Sequence, residues 1–403
     1  MPPRLSGAWL GLPGSIAWTR SRTATRQSAK RSPRVDRCPA VVGRHLDIRS
    51  LRAVKWGDGQ APSVYCTGGW RPQLDAPTIR KRLGLGDDHR AWLEQLAAAG
   101  PPAPPATLPR TGDVPWLRER LGIANADAAE LTGAWPSPQR TPEVWWLLQR
   151  CHRCIVRDLG GTAPLEPWPP LPRSLGALGR LFYAYVLLAA VPDTRRWHRQ
   201  HHIPDDVSWA TLADLGRQLA LRRRIHGEGG LDTPTWLRSH FRGALYQLGR
   251  LQFCRSRIPY QPATLQRLGV RFRHGDPALD LHIPEAGPLA PEACDHSLRW
   301  ARDFFAWHFP AERYQVAVCT SWLLDTQLAA YLGPESNIVR FQRRFRLLPG
   351  SVGEGDDDIL RFVFRRAAPA LHELPQRTSL ERAVVGHLRA GYHWRIRTGW
   401  LDL

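Results

Sequence analysis

LDLHIPEAGPLAPEACDHSLRWARDFFAWHFPAERYQVAVCTSWLL, residues 279–324, decides the fold of this 403-residue chain. Leu279, Leu281 and Ile283 are apolar and Asp280 and His282 between them are polar, the period of two expected of a half-buried strand. Pro284-Glu285-Ala286-Gly287-Pro288 ends that strand. Beyond it Ala293, Leu298, Ala301, Phe304, Phe305 and Phe309 recur at helical spacing, and Gln315 to Thr320 is a short apolar run that reads as a second strand. Trp322, Leu323, Leu328, Tyr331 and Leu332 predict a helix directly after it, stopped by Gly333-Pro334. The stretch as far as Leu348 therefore reads strand, turn, helix, strand, helix, strand.

Upstream the periodicity is helical. Short helices are expected at 78–85, 88–99 and 114–121, the last two parted by the proline-rich spacer 100–109. Longer ones are expected at 141–157, 174–190, 209–224 and 233–248. After Leu248 the pattern switches to alternation, with strands at 249–257, 269–274 and 279–283, and two more at 337–347 and 358–366. Thr378 and Glu381 have the spacing of a capping box that opens a last helix, and 393–400 closes as a strand with Trp394, Ile396 and Trp400 on one face. The expected class is α+β, a helical N-terminal half (76–248) followed by a mixed sheet flanked by helices (249–403). Residues 1–70, rich in Arg, Ser, Pro and Gly without periodicity, are expected to form a disordered basic extension.

Charge and composition narrow the function. The first sixty residues carry twelve Arg and Lys against three Asp, a net of +9 out of +20, so the rest of the chain is only moderately basic. Eighteen tryptophans among many arginines would suit base stacking, but Trp145, Trp209, Trp236 and Trp322 fall at apolar-face spacing and read as core, which argues against a nucleic-acid partner. Seven cysteines, odd in number and irregularly spaced, point away from a disulfide framework and toward a reducing, cytoplasmic setting. Leu175 to Val191 contains Arg180 and falls short of the roughly 20 apolar residues a bilayer demands, so it reads as a core helix and no membrane partner is expected. Cys151-His152-Arg153-Cys154 lacks a second ligand pair, and His198, His201 and His202 with Asp205 and Asp206 lack a partner elsewhere, so no metal is expected.

The element order from Gly249 onward resembles the GNAT N-acyltransferase core. Leu281-His282-Ile283-Pro284, Cys319-Thr320-Ser321-Trp322-Leu323-Leu324-Asp325 and Glu335-Ser336-Asn337-Ile338 look like a bacterial family of GNAT-like proteins with a helical N-terminal half, over about residues 76–403. The resemblance implies an acyl-CoA-dependent N-acyltransferase, with acyl-CoA or acetyl-CoA as co-substrate and a small-molecule amine as acceptor. In that pattern the loop after the last meander strand offers backbone N–H groups to the CoA pyrophosphate at a helix N-terminus. Here it is 284–291, which assigns Gly287, Leu289 and Ala290 to cofactor binding. The loop departs from the family's arginine/glutamine, glycine, glycine/alanine trio: Pro284 and Leu289 take two of the places, Pro288 removes a donor, and Glu285 adds a charge that repels phosphate. A literal match, Arg224-Ile225-His226-Gly227-Glu228-Gly229, sits between two predicted helices.

Acyl transfer to an amine needs a base for the amine proton and an acid for the departing thiolate. Asp280 and His282, two residues apart on one strand, point the same way, which makes His282 the expected base and Asp280 its orienting partner; the alternative is a surface pair on an exposed sheet face. Tyr331 stands where the GNAT pattern often places a tyrosine acid. Cys319, at a strand-to-helix turn, reads as a nucleophile or as a buried strand cysteine. Two other functions stay open: a catalytically idle GNAT-like module that binds a ligand or a protein, which the atypical loop favours, and an arginine-rich nucleic-acid binder.

Overall fold

The structure, a computed structural model, describes residues 74–102, 104–366 and 370–403. The extension expected over 1–70 lies outside these residues.

The helical part comprises α1 (Ala76–Leu83), α2 (Arg90–Ala99), α3 (Val114–Arg120), α4 (Asn125–Gly133), α5 (Pro142–Arg157), α6 (Gly176–Gln200), α7 (Asp205–Leu212), α8 (Asp214–His226) and α9 (Pro234–Phe241). α6 is its buried axis, and it runs ten residues past the predicted end at 190, through Pro192. An interior proline costs about 3 kcal/mol. Contacts beyond it hold the last turns in place: the Thr194 hydroxyl donates to the Phe241 carbonyl, Arg195 pairs with Asp205 at 2.8 Å, and His198 Nδ1 lies 2.6 Å from Ser208 Oγ. By length and composition α6 could cross a membrane, but 67% of its most apolar window is buried inside the fold, as expected of a core helix. The single helix predicted over 209–224 is two, α7 and α8, and the one predicted over 233–248 stops at Phe241, so that Leu245 to Leu248 are already sheet.

The second part follows as β1 (Leu245–Leu248), β2 (Leu251–Arg257), α10 (Pro262–Leu268), β3 (Pro277–His282), α11 (Pro291–His308), β4 (Val316–Ser321), α12 (Asn337–Gln342), β5 (Arg346–Leu347), β6 (Gly353–Glu354), α13 (Asp356–Ile359), α14 (Ser379–Arg389) and β7 (Arg395–Asp402). The sheet order is β1-β2-β3-β4-β7-β5, with β6 also paired to β7; β3 and β4 are parallel and every other pairing is antiparallel. The predicted α+β class holds. One face of the sheet, with Tyr246, Phe253, Leu279, Leu281, Ala317 and Cys319, packs on Phe304, Phe305 and Phe309 of α11. Across the other face, Trp236 of α9 covers the β1 end and Ile258, Leu265 and Phe272 cover Val316, Val318 and Trp400.

Three predicted strands and one helix take other forms, each for a local reason. Over 269–274 there is no strand: Pro262 at a helix start and left-handed Gly269 at its end bracket α10, and a loop follows. Over 337–347 the Ser336 hydroxyl accepts the Val339 amide and caps α12, leaving two residues to β5. Over 358–366 the acidic run Asp356-Asp357-Asp358 favours a helix N-terminus, and α13 continues into a π-helical turn, Leu360–Phe364. The helix expected after β4 is two 3₁₀ turns, Trp322–Leu324 and Thr326–Ala330, because the buried carboxylate of Asp325 between them accepts the amides of Gln327 and Arg395. The Thr378–Glu381 capping box is formed.

Candidate active site

The parallel ladder between β3 and β4 is confined to Leu279 opposite Ala317 and Asp280 opposite Val318. β3 nevertheless stays paired with β2 as far as His282, opposite Gln252, and β4 stays paired with β7 as far as Ser321, opposite Arg397. Each strand keeps its outer partner while the two part from each other. Beyond those two pairs no ladder joins β3 to β4, and this end of β3 runs on into the loop 283–290 and the N-terminus of α11.

That loop is shaped by a side chain from the β1–β2 hairpin. Leu248 pairs with Leu251, so Gly249 and Arg250 form a two-residue turn, with Gly249 at φ +68 as the first position of such a turn requires. A Cβ there would also stand 2.8 Å from Ser297 Oγ. The turn aims Arg250 at the loop. Its guanidinium donates to the carbonyls of Pro284 (3.0 Å), Gly287 (2.9 Å) and Pro288 (3.0 Å), and its amide donates to Ser297 Oγ of α11. With the carbonyls so engaged, the amides of Gly287, Leu289 and Ala290, and those of Glu292 and Ala293 in the first turn of α11, donate to no protein acceptor among the described residues. A row of unpartnered N–H groups at a helix N-terminus is suited to phosphate. The charge of Glu285 is offset, since its carboxylate receives Arg224 Nη2 at 2.9 Å and Arg365 Nε at 2.6 Å. The glycine-motif arginine of α8 is thus brought to the loop by the fold.

Asp280 and His282 do share a face, but it is not an exposed one. The Trp236 ring meets the His282 ring edge-on at 4.4 Å, and behind Trp236 lies His240, 5.2 Å away. His240 Nε2 is 3.5 Å from Asp214 Oδ2, Gln252 Nε2 donates to Asp214 Oδ1 at 3.3 Å, and Arg217 pairs with Asp214 at 2.8 Å. Burial, with a smaller push from His240, lowers His282 to about 3 against the pull of Asp214, so its imidazole is neutral at physiological pH. Burial raises Asp280 to about 6, with the Ser256 hydroxyl opposing. No hydrogen bond joins Asp280 to His282, so the orienting contact expected between them is not made. A group near 6 is also better matched to proton abstraction at neutral pH than one near 3.

Tyr331 lies elsewhere. Its hydroxyl is 2.9 Å from His387 Nδ1 of α14, and its ring packs against His387 and Trp394, none of which touches His282 or Asp280. The three residues expected to work together fall into two groups. Cys319 faces the α11 core and burial pushes its thiol far up, which removes the nucleophile reading. Among the described residues no group of three or more side chains could hold a metal, and His201 of the histidine set stacks on Trp197. Trp322 is buried, and Trp145, Trp209 and Trp236 pack against core clusters, as their spacing predicts. Arg250, Arg365 and the Asp214–His240–Gln252 network were not found from sequence; a Gly-Arg pair between two apolar runs was the one signal for the hairpin.

A short parallel ladder in a mixed sheet, followed by a loop of unpartnered amides at a helix N-terminus, is the arrangement expected of a transferase of the GNAT type. Residues 112–243 match the N-acyltransferase N-terminal domain and residues 245–401 the GNAT-like C-terminal domain. Among solved structures, the chain is 45% identical, with a TM-score of 0.75, to an acyltransferase in complex with decanoyl-CoA and teicoplanin, over 82% of this chain and 100% of that one. A tryptophan-to-alanine acyltransferase mutant in complex with octanoyl-CoA matches at 45% identity and a TM-score of 0.75, and an acyltransferase in complex with CoA and 10C-teicoplanin at 45% and 0.76, each with the same coverage. No curated protein matches the chain. The chain belongs to the family of GNAT-like acyltransferases built from these two domains, and it is an acyl-CoA-dependent acyltransferase with acyl-CoA as its co-substrate.

Proposed function

We propose that the chain transfers a fatty acyl group of about the length of octanoyl or decanoyl from CoA to an amine of a glycopeptide acceptor. The observation that carries this reading is the likeness to the acyltransferase bound to decanoyl-CoA and teicoplanin, which spans the whole of that relative. The amides of Gly287, Leu289 and Ala290 receive the pyrophosphate, and the arm of the cofactor lies in the seam between β3 and β4, which brings the thioester toward the Asp280 face. Asp280 takes a proton from the acceptor amine, whose nitrogen attacks the thioester carbonyl. Neutral His282 accepts a hydrogen bond from the same amine and orients it. The carbon–sulfur bond then breaks, and the proton held by Asp280 goes to the departing thiolate, leaving an amide and free CoA.

We also propose the cytoplasm as the setting of the reaction, a reading supported by a CoA thioester as donor and by the free thiols of Cys151, Cys154, Cys254, Cys294 and Cys319. Cell fractionation tests the location. The chemistry is tested by incubating the protein with decanoyl-CoA and a glycopeptide amine. The expected result is release of CoA thiol in step with a mass gain of one decanoyl group on the acceptor. Thiol release without acylated product would sink the proposal.

A further inference from the structure

We infer that Arg224 and Arg365 form a phosphate clamp for the nucleotide end of acyl-CoA, and that the Glu285 carboxylate they hold competes with the phosphate for it. The inference rests on the acyl-CoA dependence given above and assigns residues outside the loop amides. Arg224 comes from the last turn of α8 in the helical part, and Arg365 from the end of the π-helical turn after α13. Both reach one carboxylate, Arg224 Nη2 to Oε2 at 2.9 Å and Arg365 Nε to Oε1 at 2.6 Å. Two guanidinium groups, each donating one N–H to a different oxygen of the same anion, make an arrangement that also suits phosphate.

Three features set this trio apart from an ordinary surface ion pair. Glu285 lies in the loop whose carbonyls Arg250 holds and whose amides lack a protein acceptor among the described residues, so the clamp stands beside the anion site. Arg365 has φ +54, a left-handed conformation that non-glycine residues adopt at a cost; His202 is the other such residue among those described. It directly follows a π-helical turn, a form frequent at functional sites. Glu285 is held by two arginines, Arg224 and Arg365, so a ligand phosphate that displaces the carboxylate meets two freed cations. About half of each arginine is open to solvent, which leaves an anion room to enter.

The clamp and the loop amides divide the ligand between them. Either the 3′-phosphate or the pyrophosphate of CoA supplies the group that replaces Glu285, and a truncated ligand separates the two. Calorimetric titration of the full chain with CoA and with 3′-dephospho-CoA tests the inference. Arg224→Ala and Arg365→Ala are each expected to weaken CoA binding by about tenfold or more, and Glu285→Gln to strengthen it several-fold, because the internal competitor is gone. If the arginine substitutions cost nothing with 3′-dephospho-CoA, the clamp holds the 3′-phosphate; an equal cost with both ligands assigns it to the pyrophosphate. Unchanged CoA affinity in both arginine variants, or weaker binding in Glu285→Gln, overturns the clamp. Failure of the parent protein to bind CoA at all would instead sink the reading on which it rests.

Discussion

The guanidinium of Arg250 donates to the carbonyl of Gly287 at 2.9 Å, so a hairpin tip in the sheet holds the loop proposed above to receive the cofactor. Two further bonds, to Pro284 and Pro288, make the contact a three-point fixture.

Arg250→Ala is therefore expected to weaken CoA binding by about tenfold or more while lowering the melting temperature by only a few degrees, since the fixture shapes a loop and not the core. Arg250→Lys should not rescue binding, because one ammonium cannot span three carbonyls as a planar fork does. Equilibrium binding of CoA to the two variants checks this, and full rescue by lysine would contradict it.

Asp280→Asn and His282→Ala should each lower turnover by about 10²-fold or more with the fold intact. Tyr331→Phe should change turnover less than about twofold, because the hydroxyl is committed to His387. A large loss in the tyrosine variant alone would return it to the mechanism and remove the assignment made here.

The pH dependence of Asp280 has a definite sign. Its folded carboxyl titrates near 6 against an ordinary value of 3.8, so its contribution to stability is intact below about pH 4 and is lost as pH rises through 6. Turnover should rise over the same interval as the base ionises. Asp280→Asn should then melt higher than the parent at pH 7 and at the same temperature near pH 4. Equal melting temperatures at pH 7 would show that the carboxylate is not destabilised by the fold.

His198 and His282, each lowered to about 3, and His240, lowered to about 4, act in the opposite sense. Burial disfavours their charged forms, so the stability they contribute is present above about pH 6.5 and is lost as pH falls from there toward 3. Acid should lower the melting temperature steeply below pH 6. His198→Asn, away from the active site, should make that slope shallower by about one proton, as read by calorimetry across pH 4–6.5.

What was legible in sequence was whatever a local period could carry. β3, α11 and β4 lie close to where alternation and helical spacing put them, and the Thr378–Glu381 box is where its spacing predicts. Failures came where one polar side chain overrides the period: Ser336 caps a helix in place of a strand, and Asp325 breaks a helix into two 3₁₀ turns. The strand and loop of the candidate site can be picked out in the sequence, and their neighbours cannot. Asp280, His282, Gly287, Leu289 and Ala290 lie close together in sequence, whereas the groups packed or bonded around them, Trp236, Arg250, Arg224 and Arg365, arrive from four other elements. Polarity of the sheet face was misjudged for the same reason, since the tryptophan covering His282 belongs to a helix that ends before the sheet begins.

The short ladder between β3 and β4 leaves the sheet with an edge in its interior. Along Leu281–His282 on one side and Cys319–Ser321 on the other, backbone groups lack the cross-strand partner that a continuous sheet would supply. Such an edge can recruit any extended chain, including another copy's. A donor bound there, as proposed above, would close the edge to self-association and stabilise the protein in proportion to the logarithm of its concentration. Supply of acyl-CoA would then set how long the enzyme survives as well as how fast it turns over.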